Sequence, residues 1–128
     1  MNALRHETYS RIRSFRYAFE GWWYVLRTQH NAWIHGLATV VVFSLAWWLG
    51  VGRLEFAILV LTAMAIWMGE FFNTAVEAVV DLVSPEYHPL AKVAKDVAAA
   101  AVLVGAFGAV LVGLLILGPP LWAKLALG

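Results

Sequence analysis

Apolar residues fall along the chain in three long runs separated by short polar punctuation. The first run covers 32–49 and is broken only by His35 and small polar side chains. The second starts at Phe56 and holds no charge through Gly69, and the third, Val97–Leu117, is uncharged throughout. A hydrocarbon core about 30 Å thick takes about 20 helical residues. The third run meets that length by itself; the first lies at the short end. The second meets it only if its helix continues through Glu70–Val83, a stretch with neither Gly nor Pro. Ser84-Pro85 supplies the stop, because a proline disfavours helix in the residue before it. Phe56–Val83 then forms one helix of about 42 Å, at 1.5 Å per residue. The pattern predicts spans at about 32–49, 56–83 and 96–117.

Ahead of the first span the pattern changes. Over residues 8–28, Arg11, Arg13, Arg16 and Arg27 alternate with Ile12, Phe15, Phe19, Trp22, Trp23 and Leu26. A basic helix with aromatic anchors suits a membrane surface. Its basic part is too long for a secretory leader, and no cleavage site follows an apolar core. The fold class expected is an all-α membrane protein: one domain over residues 1–128, with an N-terminal amphipathic surface helix and three transmembrane helices.

Composition removes the alternatives. The 128 residues are 62% hydrophobic and 13% charged, against about 45–50% and about 25% in soluble domains. A chain this small has too little interior to hide so much apolar surface, and disorder needs the opposite balance. The absence of Cys excludes disulfides and thiolate metal sites. A net charge of +1 argues against a nucleic-acid partner.

The nine Lys and Arg residues set the orientation. With the N-terminus inside, Arg5, Arg11, Arg13, Arg16, Arg27, Lys92 and Lys95 face the cytoplasm, and only Arg53 and Lys124 face out. The positive-inside rule selects this cytoplasmic N-terminus. Trp22, Trp23, Trp33 and Trp67 then lie near the inner boundary and Trp47, Trp48 and Trp122 near the outer one, as aromatic belts do. In the third span Ala101, Gly105, Ala109 and Gly113 recur every four residues. That spacing makes a close-packing face within or between subunits, against a background in which spans are simply rich in Ala and Gly.

The chemistry is concentrated in three polar groups. In E-F-F-N-T-A-V-E-A-V-V-D (70–81), Glu70, Asn73, Glu77 and Asp81 fall within about 80° of one another around a helix. Acids in a span are costly and face a bundle interior or a wet cavity. Glu70 and Glu77, about 10 Å apart along the axis, suit separate tasks on one extended substrate. The competing reading pairs these acids with cations of a neighbouring helix, most readily for Asp81. The second group, Glu86, His88, Lys92, Lys95 and Asp96, could hold a phosphate at the inner boundary; snorkelling lysines are the alternative, and Lys92 fits it well. The third group is Gln29, His30, Asn31 and His35. The five-residue spacing of the histidines is not the ligand pair of a metal helix, so interfacial hydrogen bonding is their default reading.

All three groups lie at the cytoplasmic end of the spans. Carboxylates for a divalent cation, lysines for phosphate and a buried acid for proton abstraction meet there. No phosphate-binding loop and no protein-kinase signature is present. The residues alone define a small membrane enzyme or ion-binding protein with an inner polar site. A conducting transporter is disfavoured because the outer half offers no polar lining.

The strings E-F-F-N-T-A-V-E-A-V-V-D-L-V (70–83), H-P-L-A-K-V-A-K-D-V-A-A-A-A-V (88–102) and N-A-W-I-H (31–35) resemble the signature of the prokaryotic diacylglycerol kinase and undecaprenol kinase family. The resemblance runs from about Arg11 onward, and N-x-x-I-H with H-P-L-A-K is closer to the undecaprenol kinase branch. It implies a homotrimer in the bacterial plasma membrane that uses ATP and Mg2+ to phosphorylate a lipid hydroxyl at the cytoplasmic face. The lipid would be undecaprenol or, as the alternative, diacylglycerol. It implies Glu70 as general base supported by Asn73, and Glu77 with Gln29 at the metal. Nucleotide contacts would come from Glu77, Lys95, Asp96, Glu86, His88, Tyr17 and Arg11, and lipid contacts from Glu70, Asn31 and Ala99. One departure is plain: the family pattern usually has Glu where this chain has Gln29, which keeps an oxygen and loses the charge. A non-catalytic scaffold with the family's fold is the reading that departure supports.

Overall fold

The computed structural model describes residues 2–126, with side chains from Arg13 to Ala126. Four helices follow one another: α1 Asn2–Thr28, α2 His30–Leu49, α3 Arg53–Val83 and α4 Pro89–Ala126, with no strand among the described residues. Three of them, α2, α3 and α4, are long and apolar enough to cross a membrane.

Each break has a local cause. Gln29 leaves the helical region (φ −102°, ψ 113°) and separates α1 from α2. Gly50 ends α2 in the left-handed region at φ 67°. Its N–H and that of Val51 return to the carbonyls of Trp47 and Ala46, a cap that only a residue without Cβ adopts cheaply. Ser84 closes α3, with its N–H on the Val80 carbonyl and its hydroxyl donating to the Glu86 carbonyl. Pro85 prevents continuation. Pro89 opens α4, where a missing N–H costs nothing, and His88 Nδ1 accepts the Leu90 N–H at 3.2 Å.

α4 extends past the predicted span at both ends, through Pro119 and Pro120 to Ala126. Two prolines remove two helix hydrogen bonds, which helices in membranes accommodate where neighbouring groups support the backbone. Here Lys124 ties the far end down. Its Nζ donates to the Trp48 carbonyl at 3.0 Å and lies 4.3 Å from the centre of the Trp48 ring. The ends of α2 and α4 therefore meet, as an up–down–up arrangement of three spans requires.

Near that end Ala46, Leu59 and Leu117 are buried together among Val42, Phe43, Leu49, Val112 and Ile116. Of the small-residue face of α4, Ala101 stays exposed and Gly105, Ala109 and Gly113 turn inward, within the chain. A Cβ at Gly105 would stand 3.3 Å from Ile66 of α3, and Ala109 and Gly113 line a small cavity between α2 and α3. At the opposite end Trp22 packs on Trp67 and Phe71 at 5.8 and 5.5 Å between ring centres, fastening α1 to α3. There the buried residues are Val25 and Ala32 beside three polar ones, Glu70, Asn73 and Thr74.

Candidate functional site

The break at Gln29 does more than turn the chain. Its backbone remains in the helical ladder, the N–H on the Val25 carbonyl and the carbonyl accepting from Ala32. The side chain makes no cap hydrogen bond and reaches across to α3, where Nε2 donates to Glu77 Oε2 at 3.2 Å. Asn73, one turn before Glu77, donates its Nδ2 to the other carboxylate oxygen at 3.3 Å. Glu77 is thus held by two carboxamides, one from its own helix and one from the α1–α2 junction.

Glu70 lies two turns away on the same face. It is the largest fully buried side chain, at 0% exposure. Neither of its carboxylate oxygens has a hydrogen-bond partner, and the same is true of Asn73 Oδ1 and His35 Nε2. Thr74 Oγ1 donates to the Glu70 backbone carbonyl at 2.8 Å and leaves the carboxylate untouched. The nearest cation-forming group is His35 of α2, with Nε2 3.7 Å from Glu70 Oε2. Buried polar atoms without partners are rare because each gives up its hydration for nothing. A carboxylate, an amide oxygen and an imidazole nitrogen left open together form a site arranged for something other than stability.

One turn beyond Glu77 the stripe reaches α4. Asp81 accepts from Lys95 Nζ at 2.5 Å, so for Asp81 the pairing with a neighbouring helix is what occurs. Lys92 pairs with Asp96 along α4. These four residues, with Ser84, Glu86, Tyr87 and His88, line an open cleft of about 410 Å3. The sequence-predicted group Glu86, His88, Lys95 and Asp96 is therefore brought together, as is the group Gln29, Glu70, Asn73 and Glu77. Three predicted residues are not. Tyr17, Asn31 and Ala99 lie exposed on the surface, outside both clusters. The side chain of Arg11 falls outside the described residues.

The sequence reading gave His35 no place in the site and left it with interfacial hydrogen bonding as its default. It is the sole ionisable residue inside the first apolar run, a signal strong enough to single it out, yet its partner sits 35 positions away on another helix. Among the described residues no three His, Asp or Glu side chains converge as a metal cage. Glu77 is a single carboxylate of the kind magnesium shares with substrate phosphates, and the two carboxamides present their NH2 groups to it.

Three apolar helices with an acid stripe at one end define the class, an integral membrane protein with a polar site at the helix ends. The sequence model for prokaryotic diacylglycerol kinase matches residues 16–117, and the chain belongs to that family of lipid kinases. It is 48% identical over 109 residues to a diacylglycerol kinase of Synechocystis, a match covering 84% of this chain and 62% of the relative. It is 38% identical over 117 residues to the undecaprenol kinase of Bacillus subtilis, covering 91% of this chain and 95% of the relative. To the diacylglycerol kinase of Escherichia coli K12 it is 37% identical over 87 residues, 62% of this chain and 71% of that one. The chain thus spans less than two thirds of the Synechocystis relative and nearly all of the Bacillus one.

Proposed function

We propose that this chain is a lipid kinase, transferring the γ-phosphoryl group of Mg-ATP to the hydroxyl of a membrane lipid at the cytoplasmic face. The observation that carries this reading is Glu70: a carboxylate wholly removed from water, without a hydrogen-bond partner, at the level where a span meets its polar end. Such a group is placed to take a proton from a hydroxyl entering from the lipid. Asn73 presents an open Oδ1 beside it and steadies Glu77. Glu77 would hold the magnesium, joined by Gln29 through its amide oxygen. Bound magnesium supplies charge neutralisation on the transferring phosphates. Lys95, Asp96, Glu86 and His88 line the cleft that would receive the nucleotide; Tyr17, which stands outside that cleft, and Arg11 are carried as nucleotide contacts by the family resemblance alone. Asn31 and Ala99 flank the lipid.

Transfer is direct and in line. The lipid oxygen bonds to the γ-phosphorus, the bond to the bridging oxygen of ADP breaks, and Glu70 receives the hydroxyl proton. The lipid we assign is undecaprenol, supported by the end-to-end match to the Bacillus undecaprenol kinase and by N-A-W-I-H and H-P-L-A-K. Diacylglycerol is the second reading, favoured by the 48% identity to the Synechocystis enzyme. The active form is a homotrimer with a cytoplasmic N-terminus. Labelled ATP with magnesium, offered undecaprenol and diacylglycerol in parallel mixed micelles, tests the assignment. Transfer to undecaprenol that Glu70→Gln abolishes is expected; preference for diacylglycerol would move the protein to the second reading, and no transfer by folded protein would favour a scaffold.

A further inference from the structure

The pair His35 and Glu70 has a role beyond burial. Both belong to the part of the molecule most removed from water: Glu70 is fully buried, and the His35 side chain is 14% exposed. At 3.7 Å their facing atoms are within ion-pair range and outside hydrogen-bond range, and neither atom has another partner. His35 also lines the cavity of about 80 Å3 between α2, α3 and α4, together with Thr39, Thr62 and Ala109. Thr39 fixes that wall. It donates to the His35 carbonyl at 2.7 Å and accepts from Trp67 Nε1 at 3.4 Å. The imidazole therefore stands between the acid and a chamber with two hydroxyls in its lining, large enough for water.

We propose that His35 is the positioning residue for Glu70 and takes from it the proton removed from the substrate hydroxyl. This rests on the reading of Glu70 as base. As the lipid oxygen bonds to phosphorus and ADP departs, the proton moves to the Glu70 carboxylate. It then passes to His35 Nε2, leaving a carboxylate and an imidazolium 3.7 Å apart. The imidazolium gives the proton to water before the next cycle. Imidazole is suited to this step because its gain and loss of a proton both lie within the neutral range. Among the described residues no other ion pair reaches Glu70 or His35, and Glu77 is two turns away on α3. With the proton left on a buried carboxylate, Glu70 would have no neighbour to restore it.

The test uses the full chain in nanodiscs containing the accepted lipid. His35→Gln keeps a polar group of similar reach and cannot carry the proton. It is expected to lower kcat by about a hundredfold, the low end of what a proton-handling group contributes, with KM for Mg-ATP within about twofold. A kcat loss smaller than about tenfold overturns the proposal. An independent spectroscopic readout needs no active variant. The ring nitrogens of 15N-histidine protein are compared between the natural chain and Glu70→Gln. The His35 resonance is expected to move while those of His30 and His88 stay; an unmoved His35 resonance overturns the pairing. The two readings fail differently. Turnover retained in Glu70→Gln removes the base itself, whereas a dead Glu70→Gln with a fully active His35→Gln removes only the role of His35.

Discussion

At the scale of single residues, the site is governed by which polar atoms are satisfied. Glu77 has both oxygens occupied by amides, and Glu70 has neither occupied. This asymmetry supports the proposed role of Glu70, whose carboxylate is open, as the group that takes the proton. Gln29 gives the sharpest prediction. Gln29→Glu would replace a hydrogen bond to a carboxylate, of a kind worth about 1.5 kcal/mol, by two facing carboxylates. Without magnesium the variant should unfold at lower temperature than the natural chain; with magnesium the loss should be recovered, and transfer should saturate at lower magnesium. Thermal unfolding and activity across a magnesium series check both, and an unchanged magnesium dependence would sink the idea. Glu70→Gln should lower transfer by about a hundredfold or more while the fold is kept, measured as turnover beside size-exclusion behaviour.

At the scale of elements, α4 carries two tasks along one helix. Its N-terminal end supplies Lys92, Lys95 and Asp96 to the cleft, and its middle packs closely on α3. Lys95→Met separates packing from chemistry. The Lys95–Asp81 pair is partly exposed, with side chains 39% and 64% accessible, so its loss should cost less than about 1 kcal/mol of stability. A rise in KM for ATP of tenfold or more alongside that small loss would mark Lys95 as a nucleotide contact. At Gly105 the expectation is the reverse. A Cβ there would stand 3.3 Å from Ile66 Cδ1, and Gly105→Leu would drive α4 from α3 at a cost of about 1–3 kcal/mol. Thermal unfolding in detergent should show the shift, and a melting temperature equal to that of the natural chain would refute the close-packing role.

At the scale of the whole molecule, most large apolar side chains stay exposed, among them Trp47 at 86%, Leu82 at 81% and Leu115 at 76%. Lipid covers such a surface, and in the proposed homotrimer sister subunits would cover part of it. The homotrimer is checked by native mass spectrometry from nanodiscs; a monomer with full activity would remove it. The chain contains no Cys, which makes its orientation simple to measure. With a cytoplasmic N-terminus, Leu54→Cys and Leu125→Cys should react with a membrane-impermeant thiol reagent from outside intact cells, and Ser84→Cys only after lysis. The opposite pattern would invert the topology.

The sequence by itself determined the helices and their number. Hydrophobic runs of membrane length are local properties, as are the punctuation at Gly50, Ser84-Pro85 and Pro89 and the period of the acid stripe. It also determined the candidate acids, because an acid inside an apolar run is anomalous wherever the helix packs. Tertiary structure decided the partners. That Asp81 meets Lys95, that Gln29 clasps Glu77, and that Gly105, Ala109 and Gly113 of α4 turn inward all depend on how separate helices are rotated against one another. No single helix carries that information. His35 shows the limit most clearly. Alone it is a histidine on an apolar face. Its proximity to Glu70 exists only because α2 and α3 pack antiparallel at a distance that buries both.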